Sequence, residues 1–174
     1  MVQSVLKPSI KYGIYLGLFM CTFIVFMWVT RLDTTYYHIG KNLEIAVSVI
    51  PIAVILYAIH KLNQKQDLTV SKRLIAGITV GLVSVAVSTP FIEIYHHFIN
   101  PEWFDAVLHL QEQKMISEGA TETEITTRLE RMRAGDNTFS SVLSAFISGG
   151  ILFPAVVSLA STIFIRNKQD INQD

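Results

Sequence analysis

Apolar residues along this chain gather in four long blocks, and polar residues are pushed into the connections between them. The blocks cover residues 10–30, 43–60, 74–98 and 139–165, and the first three carry almost no charge inside. A helix needs about 20 apolar residues to cross a hydrocarbon core roughly 30 Å thick. The first block meets that requirement with only Lys11 near one end, and the shortest, 43–60, has Glu44 near its end. Period-two alternation is absent and the blocks exceed the roughly ten residues of a barrel strand. The pattern predicts an all-α protein: a four-transmembrane-helix bundle, one integral membrane domain over 1–174, with the lipid bilayer as its solvent.

Composition agrees with the pattern. Half of the 174 residues are apolar (51%), while 16% are charged, against about 25% in soluble domains. The first block follows Lys7 and Lys11 as a signal sequence would. It is longer than the 7–15 apolar residues of a signal-peptide core, however, and no small-x-small site follows it. Met20 spoils a lipoprotein box before Cys21, so the block is expected to stay as an uncleaved anchor. Cys21 is the one cysteine, which removes an intramolecular disulfide and a cysteine-based metal site.

Zero net charge hides an asymmetry. With four spans, the N-terminus, the 61–73 connection and the C-terminal tail share one face, with eight basic and three acidic residues. The other face holds six basic and eleven acidic. Basic residues in short loops stay cytoplasmic, so both termini are expected inside and the acidic 100–138 connection outside. A basic nucleic-acid face is missing, and nucleic acid is not among the expected partners.

The outer connection carries helix signals. Asn100-Pro101-Glu102 reads as an N-cap, a proline at the first helical position and an acid in the first turn. The helix is expected to end at Gly119. Thr121 and Glu124 then offer a capping box for a second helix running to Ala134 and Gly135. Phe104, Val107, Leu108 and Met115, then Ile125, Leu129 and Met132, form narrow apolar stripes at helical spacing. The reading is a helical hairpin over 101–134, packed on itself above the outer mouth of the bundle. A coiled-coil contact with a second protein is the sharper alternative.

Small residues recur every four positions within the spans: Gly13, Gly17 and Cys21; Gly77 and Gly81; Ser141, Ala145 and Gly149. Lipid supplies no hydrophobic force between helices, so close backbone approach has to supply dispersion contact instead. A leftover small-residue face would serve a homo-oligomer. Pro51, Pro90 and Pro154 are expected to free backbone carbonyls and bend their helices.

Candidate chemistry is confined to "TPFIEIYHHFINPEWF", residues 89–104. Glu93, His96 and His97 lie three and four apart, so one helix face can hold all three. Glu-x-x-His occurs in bundle metal sites, which also need carboxylates from other helices. Glu44 and His38 are the available contributors, making Glu44, Glu93, His96 and His97 the candidate metal or proton site. The competing structural reading places Tyr95, His96, His97 and Trp103 at headgroup depth, where amphipathic rings gather; on it the stretch is a membrane exit followed by a helix start. Neither a phosphate loop, a nucleophile elbow nor a zinc-protease helix occurs, and the spans lack central charges of the kind pumps use. No catalytic residue and no cofactor is therefore assigned.

Two spans, a basic loop, a third span ending "FINPEW", an acidic helical pair with "EGATETEI" at its turn, and the opening "IKYG" at residues 10–13 resemble the domain of unknown function 4199 family. Its members are uncharacterised bacterial inner-membrane proteins common in the Bacteroidetes. The resemblance implies a multi-pass protein of the cytoplasmic membrane and brings no catalytic residues with it. The functional expectation is a non-enzymatic membrane component whose outer hairpin meets another envelope protein. The alternative is a small oligomeric transporter or channel using the serine face Ser141, Ser144 and Ser148; an enzyme on lipid-linked substrate ranks last.

Overall fold

The structure is a computed structural model that describes residues 3–135 and 138–165, apart from the side chains of residues 37, 38, 135 and 138. The C-terminal charges Arg166, Lys168, Asp170 and Asp174, and Asp136 of the 100–138 connection, lie outside the described residues. Every regular element among those described is helical. In order they are α1 (Gln3–Val29), α2 (Tyr37–Val47), α3 (Val49–Lys65), α4 (Val70–Ile94), α5 (Trp103–Ser117), α6 (Glu122–Gly135), α7 (Thr138–Ser144) and α8 (Phe153–Phe164). A π-helical segment, Tyr95–Ile99, extends α4, and another, Ala145–Leu152, joins α7 to α8.

Four helical stretches are long and apolar enough to cross a membrane: Gln3–Val29, Ile39–Lys65, Val70–Ile99 and Phe139–Phe164. They match the four expected blocks in number and order. The second is longer than expected and breaks at Ser48, three residues before Pro51, whose missing N–H and ring disfavour an uninterrupted helix. Ser48 bridges the break: its N–H donates to Glu44 O at 2.9 Å and its hydroxyl to Ile45 O at 2.6 Å.

The distribution of polarity is inside-out relative to a water-soluble protein. Ser9, Ser158 and Ser161 are fully buried, whereas Val156, Ile163 and Phe164 are 66%, 77% and 75% exposed. Large apolar side chains on the outside of long helices suit hydrocarbon as solvent, and buried hydroxyls must then find acceptors within the protein. They do. Ser9 Oγ donates to Val5 O at 2.8 Å, Ser158 Oγ to Pro154 O at 2.7 Å and Ser161 Oγ to Ser158 O at 2.6 Å.

Helix α4 is the central element, with α1, α3, α8 and the second π segment all packed on it. Glycine explains how closely two of these approach. A Cβ on Gly17 would stand 2.7 Å from Val87 Cβ and 2.9 Å from Ser84 O, so α1 meets α4 backbone to backbone. On the other side, a Cβ on Gly81 would strike the Pro154 ring and stand 2.7 Å from Gly150 O. The small-residue register expected in the fourth span slips by one. Gly150 is buried and Gly149 exposed, because the π segment spends an extra residue on its turn and rotates everything after it.

At the end expected to be cytoplasmic, Arg73 is 3% exposed. Its Nη1 donates to Ser161 O at 2.9 Å and its Nε to Leu68 O at 3.4 Å. The guanidinium thus meets a carbonyl in the last turn of α8, where a cation also complements the helix dipole. Read as one more loop charge in the sequence, Arg73 is part of the packing instead.

Helices α5 and α6 pack on each other, and the two caps at the turn between them form as the sequence predicts. Gly119 has φ of +80°, with its N–H donating to Ile116 O and the Ala120 N–H to Met115 O, a Schellman ending for α5. Thr121 and Glu124 form the capping box: the Thr121 N–H and hydroxyl both donate to Glu124 Oε2 at 2.8 Å. These two bonds hold the Glu124 carboxyl below its ordinary value, the backbone N–H having the larger effect. Leu108 is buried and Phe104, Val107, Met115, Ile125, Leu129 and Met132 are half-buried, as the stripes predicted.

Candidate functional site

Pro90 has no N–H to give within α4, and a few residues later the helix widens into the π segment, closed by the Asn100 N–H donating to Tyr95 O at 2.8 Å. That turn sends three neighbouring rings in different directions. Tyr95 goes inward and is 3% exposed. His96 stacks on Trp103, with ring centroids 4.4 Å apart and planes within 7°. His97 stays exposed and folds back on its own helix.

Tyr95 reaches a residue the sequence did not single out. Its hydroxyl donates to Asp33 Oδ2 at 2.6 Å, and Asn100 Nδ2 lies 3.2 Å from the same oxygen and 2.9 Å from Tyr95 Oη. Asp33 is 8% exposed and hangs from the loop after α1. Arg31 turns that loop in a left-handed conformation, φ +56°, at the position helices usually give to glycine. No ion pair to Asp33 occurs among the described residues. Among those residues the donors that hold the buried carboxylate are neutral. The Asn100 side chain is therefore engaged across the fold and does not cap α5; Glu102 occupies the cap position without a side-chain bond.

The four-residue candidate cluster is not assembled. Among the described residues no three His, Cys, Asp or Glu side chains gather so as to hold a metal ion. Glu93 Oε2 lies 3.7 Å from His97 Nδ1, on the same helix. That nitrogen is also 2.9 Å from Glu93 O; a carbonyl can only accept, so Nδ1 carries the proton and donates to it. No ion pair joins Glu44 to Glu93 or to a histidine among the described residues. His96 is occupied in its stack, and the His38 side chain lies outside the described residues. The spacing correctly put Glu93 and His97 on one face; the π turn removed His96 from it. Ser141, Ser144 and Ser148 are exposed on the surface of the fourth stretch.

What the stretch does form is one wall of a cleft of about 700 Å³ between the end of α4, α5, α6 and α7. Its lining includes Glu93, His97 and Trp103, Arg131 and Met132 of α6, and Ser141 of α7. A second recess of about 630 Å³ lies beside the Asp33 network, between Trp28, Arg31, Thr34 and Glu102.

Compared with known proteins, residues 11–167 match the family described as "Protein of unknown function (DUF4199)". The chain belongs to that family. No curated protein matches it, and no solved structure does. The DUF4199 match takes in Asp33, Glu93, Tyr95, Asn100, Trp103 and Arg131, so the network and the cleft both lie within the family's own region. Membership assigns none of them a role. The sequence reading took Asn100 for a helix cap and counted Asp33 and Arg131 only as charges, because the bond from Asn100 to Asp33 joins residues 67 apart and the cleft around Arg131 exists only once the helices are packed.

Proposed function

We propose that this DUF4199 protein is a non-enzymatic component of a bacterial cytoplasmic membrane. In this reading its four spans pack as one transmembrane bundle that displays the helical hairpin 101–134 outside, and the hairpin meets another envelope protein. The observation that carries the reading is the finish of the hairpin. A Schellman ending and a reciprocal capping box flank its turn, although a short flexible loop would suffice to join two spans. Ile116, beside that turn, is 60% exposed, as a contact residue would be. The transporter reading leaned on Ser141, Ser144 and Ser148, whose exposure favours it less than a path between helices would.

Deleting residues 111–134 and bridging the gap with a short Gly-Ser linker tests the proposal. The expected result is that proteins cross-linked to the full chain in its native membrane disappear from the deletion variant while the spans still insert. An unchanged set of cross-linked proteins would exclude the hairpin as the contact.

The orientation has its own check. With both termini inside, an impermeant thiol reagent applied from outside labels Ser117→Cys and spares Gln66→Cys, each in a Cys21→Ser background. The charge asymmetry motivates this outcome, and the opposite pattern would reverse the topology.

A further inference from the structure

The cleft beside Glu93 is lined by several side chains that can donate hydrogen bonds. The Arg131 guanidinium, the Trp103 indole N–H and the Ser141 hydroxyl all line it. None of the three hydrogen-bonds or ion-pairs within the described residues. They are donors, and a planar guanidinium beside two neutral donors suits an oxyanion such as a phosphate. Glu93 provides the opposite chemistry. Its side chain is 28% exposed, and the basic atom within 4 Å of it among the described residues, His97 Nδ1 at 3.7 Å, already gives its proton to a backbone carbonyl.

The position of the cleft selects the ligand. Its polar lining stands at the end of the third apolar stretch, Val70–Ile99, and at the start of the fourth, Phe139–Phe164. Ile92, Val142 and Ala145 continue the same wall into those two stretches. A ligand seated here has its polar part at the membrane boundary and its apolar part between α4 and α7. A volume near 700 Å³ falls within the range of small-molecule sites. We propose that the cleft binds an aminophospholipid, with the phosphate on Arg131, Trp103 and Ser141, the primary amine on Glu93 and the acyl chains along Ile92 and Val142. The assignment rests on the membrane placement of these two stretches and is independent of whether the hairpin has a protein partner.

The test uses the full-length chain, stripped of lipid in detergent and carrying Trp28→Phe, so that Trp103 is its sole tryptophan and can be excited selectively over the tyrosines. Three probes are titrated: a short-chain phosphatidylethanolamine, the phosphatidylcholine of the same chains, and O-phosphoethanolamine, which has the headgroup without chains. The amine lipid should shift Trp103 emission at about tenfold lower concentration than the choline lipid, whose quaternary nitrogen has no proton to give Glu93. Glu93→Gln should erase that preference while leaving thermal stability in detergent unchanged. Arg131→Ala should weaken both lipids by about tenfold or more, and Arg128→Ala, one turn earlier on α6, should weaken neither. Equal binding of both lipids, or unaltered titrations in Glu93→Gln and Arg131→Ala, would reduce the cleft to ordinary lipid contact. Binding of O-phosphoethanolamine as tight as that of the lipid would overturn the lipid assignment in favour of a soluble phosphate ester.

Discussion

Gly81→Leu should prevent the fourth span from docking, and Gly81→Ala should already lower stability by about 1–3 kcal/mol. The reason is what surrounds the position. A Cβ there would meet the Pro154 ring, then Gly150 O at 2.7 Å and Gly149 O at 3.1 Å. Two of these are backbone atoms and the third is a ring that cannot turn aside. The helices must separate instead. Since lipid-embedded helices associate largely through dispersion, a gap of 0.5–1 Å loses a quarter to a half of each contact's well depth. Gly77 offers an internal comparison, because a Cβ there meets Ser158 Oγ, the end of a rotatable side chain, before Pro154 O at 3.1 Å. Gly77→Ala is therefore expected to cost less than Gly81→Ala. Unfolding by added denaturing detergent, followed by circular dichroism, reads both. Equal losses at the two positions would remove the argument from backbone approach.

The same contact shows where sequence reasoning works and where it stops. Span number and order were legible because a bilayer demands some 20 apolar residues in a row, a signal that needs no tertiary information. The caps were legible too, since Gly119 and the Thr121–Glu124 pair act within one turn. Register in the fourth span was not. Spacing Ser141, Ala145 and Gly149 four apart assumes an α-helix, and the π segment Ala145–Leu152 breaks that assumption, bringing Gly150 to the interface instead. The break at Ser48 likewise lies three residues from the proline that signals it. Arg73 and Asp33 entered the sequence reading only as charges of their faces. Their partners lie 88 and 62 residues away in sequence, and no local pattern encodes such a pairing. The candidate cluster failed for a related reason. Helical spacing made Glu93, His96 and His97 neighbours, whereas the widened turn at Tyr95–Ile99 gave His96 to Trp103 and Tyr95 to Asp33.

Tyr95→Phe should cost about 1.5–3 kcal/mol, the range for a hydrogen bond to a charged group, although it removes a single oxygen. The phenol is the shorter of the two bonds to Asp33 Oδ2, 2.6 Å against 3.2 Å from Asn100. Its loss leaves a carboxylate, 8% exposed, with Asn100 as the remaining donor to that oxygen and no ion pair among the described residues. Leaving a buried charge under-satisfied outweighs the lost bond itself. It follows that the damage should depend on Asp33. In an Asp33→Asn background the buried group is neutral, and Tyr95→Phe should then cost less, leaving a coupling of about 1 kcal/mol or more between the two positions. Asn100→Ala should fall between, since it removes the longer bond to Asp33 and the donor to Tyr95 Oη together. The cycle is measured by the same unfolding in mixed detergent, with hydrogen exchange over residues 30–36 and 95–100 as a second readout. Exchange should accelerate in both segments in Tyr95→Phe, because the network ties the loop after α1 to the end of α4. Additive single and double variants, or acceleration confined to residues 95–100, would mean that Tyr95 packs its own turn and does not fasten the two segments together.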